Sequence, residues 1–225
     1  MVFRVTVSPR LVRQSLAAAL ILAALAPAAS QAGPMGFKDN WMTMGDFGPN
    51  WREAFINYAI TPRDAFGAGA LYMRSDDKTL SRSEAELNYT RLVQRWNMPH
   101  AQANLWFVAG VGTIRGNDFS GTRTAFTPGV QFDFETTRVY LAAQARAYRA
   151  SGVNHDYGSL RAGFSFYEVS YDETQPWFIL EARRMRGLSD KTEVTPMLRL
   201  INKSYFVELG VNNSHLARFN LMYIF

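Results

Sequence analysis

The chain has 225 residues, no cysteine and a formal charge of +5. Without thiols it forms neither disulfides nor thiolate metal sites, so a secreted chain of this size must rely on packing or on closed backbone pairing. The basic excess is no nucleic-acid footprint: residues 1–32 contain Arg4, Arg10 and Arg13 but no acid, and without them 21 basic side chains face 19 acidic ones, a formal charge of +2.

Residues 1–32 have the layout of a cleaved secretory signal. The arginines precede an apolar run from Leu16 to Ala29 broken only by Pro27, and Ser30-Gln31-Ala32 stands ahead of Gly33. A membrane-crossing helix needs about 20 apolar residues, longer than this run. Residues 33–225 are then read as a single domain, in which 33–50 is a periplasmic tail, a plug or a first strand.

The mature part is patterned with period 2, the signature of strands. Candidate strands in chain order are 36–45, 50–60, 66–74, 83–95, 102–114, 123–134, 138–149, 158–168, 177–186, 193–201, 205–212 and 217–225, giving twelve, or ten if the first two do not form. In 123–134, Phe126, Pro128, Val130, Phe132 and Phe134 oppose Arg123, Thr127, Gly129, Gln131 and Asp133. In 138–149, Val139, Leu141, Ala143, Ala145 and Ala147 oppose Arg138, Tyr140, Gln144, Arg146 and Tyr148. Leu160, Ala162, Phe164 and Phe166 oppose Arg161, Gly163, Ser165 and Tyr167, and Tyr205, Val207, Leu209 and Val211 oppose Phe206, Glu208, Gly210 and Asn212. Clusters such as Thr61-Pro62-Arg63-Asp64, Gly116-Asn117-Asp118 and Ser151-Gly152-Val153-Asn154 separate the strands, as turns of an antiparallel meander would.

Both soluble and membrane barrels alternate in this way; the polar face tells them apart. Lysine occurs only at positions 38, 78, 191 and 203, the last three in turn-like clusters. A solvent-washed strand face would be rich in Lys and Glu. Here it carries Gly, Ala, Ser, Thr, Asn, Gln, Tyr and scattered Arg, as a polar lumen would. The expectation is an all-β fold, an antiparallel up-and-down transmembrane β-barrel, closed because lipid offers no partner to a free strand edge. Tyr58, Trp96, Phe134, Trp177, Tyr205 and Phe225 fall near one set of turns and are expected in an aromatic girdle at the membrane interface.

The last strand sharpens the destination. Phe219, Leu221, Tyr223 and the terminal Phe225 alternate and end on an aromatic, which resembles the closing strand of Gram-negative outer-membrane barrel proteins. The resemblance implies an outer-membrane location, contact with outer-membrane lipids and recognition of those four residues by the barrel assembly machinery.

Projecting the polar faces inward puts Arg138, Arg146, Arg161, Arg183, Arg199 and Arg218 in the lumen with Glu84, Glu86, Asp133, Glu181, Glu193 and Glu208. Two outcomes are open. The arginines form a track for small anionic solutes such as acidic sugars, phosphate or carboxylates, or the six acids pair with the six arginines and plug the bore. By architectural analogy alone, such a compact arginine-lined barrel is similar to the acidic-oligosaccharide porins of enterobacteria. The leading functional expectation is a small monomeric channel or porin-like protein without cofactor.

A closed structural or interaction barrel is the second reading, with Met35, Met42 and Met44 beside Trp41 as weak soft-ligand candidates for copper(I). An outer-membrane hydrolase is third. His100, His155 and His215 all fall in expected turns or loops, and only His155-Asp156 offers a pair of the kind omptin-like proteases use. Gly67, Gly69, Gly110 and Gly112 lie within strands, where glycine eases curvature and close packing.

Overall fold

The computed structural model describes residues 33–170, 172–189 and 191–225; the expected signal segment 1–32 lies outside the described residues. Alternating side chains bounded by tight turns produce thirteen strand segments: β1 Trp41–Phe47, β2 Trp51–Ala59, β3 Asp64–Arg74, β4 Ser81–Met98, β5 Ala101–Gly116, β6 Arg123–Phe126, β7 Gly129–Thr136, β8 Val139–Ala150, β9 Val153–Phe164, β10 Gln175–Arg186, β11 Thr192–Asn202, β12 Tyr205–Val211 and β13 Ala217–Ile224. Each pairs antiparallel with its chain neighbours, save that β6 and β7 do not pair with each other, and β1 pairs with β13 from Met42↔Ile224 to Phe47↔Phe219, which closes the ring.

β6 and β7 are halves of one stave. Both pair with β5 and with β8. Pro128 has no N–H to give the ladder, so the strand breaks there, yet Thr127 N donates to Gly110 O at 2.9 Å and Ala147 N to Pro128 O at 2.8 Å, which ties the break on both sides. The barrel therefore has twelve staves, as the turn count predicts. Residues 41–47 form the first strand, and Gly33–Gly36 lodge inside the barrel ahead of it. Met35 there is fully buried against Ala59, Ala65, Leu92 and Trp106, and Asn57 Nδ2 donates to Pro34 O at 2.8 Å.

The faces divide as their chemistry demands of a barrel in lipid. Outward-pointing Phe66, Leu87, Val111, Leu160, Leu198 and Leu209 are each 54% to 73% exposed, whereas inward-pointing Asp133, Glu181, Arg183, Arg199, Glu208 and Arg218 are 0% to 5% exposed. An apolar exterior encircling the molecule far exceeds the few hundred Å² that a water-soluble monomer leaves bare. The register shift between Leu92 and Gln94 is a bulge that reverses the parity of β4. It keeps Leu92 inside and turns Trp96 out beside Phe132, with ring centroids 6.5 Å apart.

The start of β1 and the end of β13 lie at one rim, where Trp41 N donates to Phe225 O at 2.8 Å. We call it the chain-end rim. The opposite, hairpin rim carries the β1–β2, β3–β4, β5–β6, β8–β9, β10–β11 and β12–β13 connections, each of two to six residues.

Of the expected girdle, Tyr58, Trp96, Phe134, Tyr205 and Phe225 point outward at the chain-end rim, with Tyr58 packed on Trp41 at 5.1 Å. Trp177 does not. It points inward, 6% exposed, into a cluster with Tyr140, Ile179 and Met197. Its parity matches Glu181 and Arg183 on the same strand, and that parity assigns it to the bore.

Candidate functional site

Among the described residues, buried charge concentrates in the bore. Its centre is a cavity of about 110 Å³ lined by Arg146, Arg161 and Arg199 together with Asp46, Glu53, Glu86 and Glu181, and by Gly33 and Pro34 of the lodged segment. Pockets that enclose organic ligands run to roughly 300–1,000 Å³, so this chamber, as it stands, admits a group of waters rather than a sugar.

Its wall is held by ion pairs. On β9 to β13, Arg199 Nε donates to Glu208 Oε1 at 2.5 Å, Arg161 donates to Glu208 Oε2, and Asn220 Nδ2 donates to Glu208 Oε2 at 2.6 Å. Arg161 also meets Glu181 at 3.1 Å, and Arg218 meets Glu181 at 3.6 Å. From there the chain of charges crosses to β1: Arg218 Nη2 donates to Asp46 at 2.8 Å, and Arg183, bonded to Glu193 at 2.9 Å, reaches Asp46 at 3.2 Å. A separate bridge spans the bore. Arg146 on β8 pairs with Glu86 on β4 and with Glu53 on β2 at 3.4 Å, while Thr127 Oγ1 donates to Glu86 at 2.5 Å. Asp133 stands apart and accepts from Trp106 Nε1 and Asn104 Nδ2, both at 2.6 Å.

The arginines and carboxylates placed inside by alternation are largely there, and all but Glu84 and Asp133 are held in ion pairs. Arg146, Arg161, Arg183, Arg199 and Arg218 face the bore with Glu84, Glu86, Asp133, Glu181, Glu193 and Glu208. Arg138 is an exception. It precedes β8, and its guanidinium donates to Ser165 O at 3.1 Å and Phe166 O at 2.9 Å, which fastens the β9–β10 connection at the chain-end rim. Glu84 is 4% exposed, and its Oε1 has no hydrogen-bond partner. Asp46 and Glu53, which complete the network, lie on the two strands whose existence was least determined by pattern.

Above the chamber, toward the hairpin rim, the bore is filled by an apolar cluster of Trp51, Leu71, Met73, Ile114, Tyr148, Tyr157 and Met185. Trp51 and Tyr157 come from opposite walls. Beyond them Arg82 Nη1 approaches His155 Nδ1 at 3.2 Å and Arg82 Nη2 donates to Asp118 at 2.7 Å. His155 is thus on a strand and fully buried, not in a loop. The β8–β9 turn is only two residues long, which draws His155 into the ladder opposite Tyr148. Asp156 points to the other face and pairs with Arg149 and Arg186, so this His-Asp pair diverges and offers no shared catalytic geometry.

The copper candidates are not assembled. Met42 and Met44 pack with Phe206, Met222 and Ile224, Met35 belongs to the separate cluster around Trp106, and Trp41 faces outward at 44% exposure. Among the described residues no three His, Cys, Asp or Glu side chains form a metal-holding group.

No protein-family model matches the chain, and no curated protein matches it. Among solved structures it is similar to a KdgM porin, at 11% identity over 82% of this chain and 98% of that one with a TM-score of 0.47. It is similar as well to a KdgM porin in complex with disordered oligogalacturonate, at 11% identity, 82% and 98% coverage and a TM-score of 0.44. A loop-deleted OmpT, an outer membrane protein of Vibrio cholerae, aligns at 8% identity over 83% of this chain and 97% of that one, with a TM-score of 0.29.

Proposed function

We propose that the protein is an outer-membrane barrel that acts as a narrow, porin-like path for small solutes and is shut in the state described here. A closed ring of strands with an uncharged apolar belt outside meets the requirement of lipid, which satisfies no backbone group. The even number of staves brings the start of the first and the end of the last to one rim, the periplasmic one in this reading. The observation that carries the channel reading is the charged chamber: the bore's centre is a guanidinium- and carboxylate-lined space, where a purely structural barrel would gain more from apolar filling.

Selectivity in this reading depends on release of the arginines. Three guanidiniums and four carboxylates line the chamber, so small anions gain a positive track only when Arg146, Arg161 and Arg199 part from their acids. The second reading, a closed structural barrel, is favoured by the Trp51–Tyr157 contact and by the Arg146 bridge, which together fill the bore from wall to wall.

Single-channel conductance of the refolded protein in a planar bilayer, repeated with Arg161→Ala and Arg183→Ala, separates the two. The channel reading expects small, intermittent openings whose anion preference falls in the variants. An inserted barrel that stays silent at every voltage supports the closed barrel instead.

A further inference from the structure

The charges on the outward face are not evenly placed. Among the described residues, the strand surface between Arg91 at the chain-end rim and the hairpin rim carries no charged side chain; then Arg52, Arg74, Arg115, Arg149, Arg184 and Arg186, with the one acid Asp156, appear within the few strand positions next to the hairpin rim. Three of these share one patch. Arg149 lies on β8, Arg184 and Arg186 on β10, and β9 runs between them.

Within the patch Arg186, 72% exposed, and Arg149, 41% exposed, both contact the single carboxylate of Asp156. Arg184 lies one row nearer the apolar belt. Its cross-strand partners are Gly158 and Thr192, which bring it no charge. A Cβ placed on Gly158 would come no nearer to any neighbour than 3.8 Å, so the surface beside Arg184 is open. Below it the wall is made of small and apolar side chains, Ala143, Ala145, Leu160 and Ala182, arranged in adjacent register.

We propose that this patch is a docking surface for a phosphate-bearing lipid of the outer leaflet. Its headgroup phosphates would sit on Arg149, Arg184 and Arg186, and its acyl chains would lie along the strip below. Among the described residues of the patch, three guanidiniums against one carboxylate leave a net positive charge of two. A guanidinium at the boundary of an apolar belt, with no acid among the described residues in cross-strand register with it, matches a phosphate ester anchored on hydrocarbon, since Arg binds phosphate in a bidentate, charge-assisted fork. A zwitterionic headgroup offers no comparable net attraction.

The inference rests on the outer-membrane reading, and the test keeps the two apart. The barrel is refolded into phosphatidylcholine vesicles, where protease resistance reports insertion, and is then transferred to zwitterionic micelles. These micelles are doped with a diphosphorylated glucosamine lipid or with the same lipid stripped of phosphate, and native mass spectrometry counts how much of each the barrel retains. The expected result is selective retention of the phosphorylated form, a bound fraction lowered about tenfold by Arg184→Ala with Arg186→Ala, and raised by Asp156→Asn, which removes the competing carboxylate. Arg63→Ala, at the chain-end rim, leaves retention unchanged. Equal retention of the two lipids by an inserted barrel, or displacement of the bound lipid by millimolar inorganic phosphate, overturns the lipid site and leaves the membrane reading intact. Failure to insert into the vesicles overturns both.

Discussion

Trp51 on β2 stacks on Tyr157 on β9 across the full width of the barrel, with ring centroids 4.8 Å apart and planes inclined by 27°. Tyr148 closes the arrangement from β8, edge-on to the same indole at 6.3 Å. The three aromatic side chains belong to the apolar cluster that fills the bore between the chamber and the hairpin rim.

Trp51→Ala should therefore open the upper bore and weaken the barrel at the same time. Removing a buried Trp side chain costs about 3–5 kcal/mol where the surroundings do not collapse. The expected readouts are a lower urea midpoint in vesicles and a larger, steadier conductance than wild type. Tyr157→Phe preserves the stack and should leave both near wild type. A Trp51→Ala barrel that is weaker but no more conductive would place the main obstacle elsewhere, at the Arg146 bridge.

Glu208 is the acid on which two guanidiniums and an amide converge, and it is fully buried. Glu208→Ala would leave Arg161 and Arg199 without their shared partner. Loss of one member of a buried ion pair costs roughly 3–5 kcal/mol. Arg161 retains Glu181 at 3.1 Å, whereas Arg199 has no second acid within salt-bridge reach among the described residues and is left over the rings of Tyr140 and Phe206, at 4.5 and 4.9 Å. Urea unfolding of inserted protein should show Glu208→Ala well below Glu208→Gln, because the amide still accepts hydrogen bonds. Similar midpoints for the two would mean that the bore rehydrates freely around the arginines.

The β3–β4 turn at the hairpin rim gives a pH dependence outside the membrane. Asp77 accepts hydrogen bonds from the Ser75 hydroxyl and from the Thr79 amide and hydroxyl, and its carboxyl is held down to about 2 from the ordinary 3.8, chiefly by Ser75. A depressed carboxyl stabilises the fold above its unfolded value, and that contribution is lost as pH falls through the folded value. The turn should thus stay intact at pH 4 and loosen only near pH 2. A carboxyl-carbon NMR titration of Asp77 with its midpoint at the ordinary value would contradict the turn geometry.

Alternation made much of this architecture legible, because the side-chain period of a strand equals the alternation of its faces. The two faces of β8 and β12 are read from sequence residue by residue, and the stave at 123–134 is correct despite Pro128 because that proline points outward. Trp177 was assigned by its nearness to a turn, although its parity with Glu181 places it inside. His155 was hidden because Ser151-Gly152-Val153-Asn154 reads as a four-residue turn, while positive φ at Gly152 closes the hairpin in two. The pairing of arginines with acids was foreseeable as a possibility. Which acid meets which arginine was not, since Arg146 and Glu53 are 93 residues apart and meet only after closure.

The chain-end mouth of the bore is occupied by the chain itself. Met35 is fully buried beside Trp106, the Pro34 carbonyl is tied to Asn57, and Gly33 lies so close to the Trp106 ring that an added Cβ would come within 2.5 Å of it. Two residues on, Phe37 is 52% exposed. The sequence has no native cysteine, so Met35→Cys and Phe37→Cys each introduce a single thiol, and a membrane-impermeant maleimide reads the depth of each position. Thiol labelling follows access to the thiolate, and Met35→Cys should react at least about tenfold more slowly than Phe37→Cys in the folded barrel, with equal rates in denaturant. Equal rates in the folded state would show that Gly33–Gly36 leaves the bore, and the chamber would then open directly toward the chain-end rim.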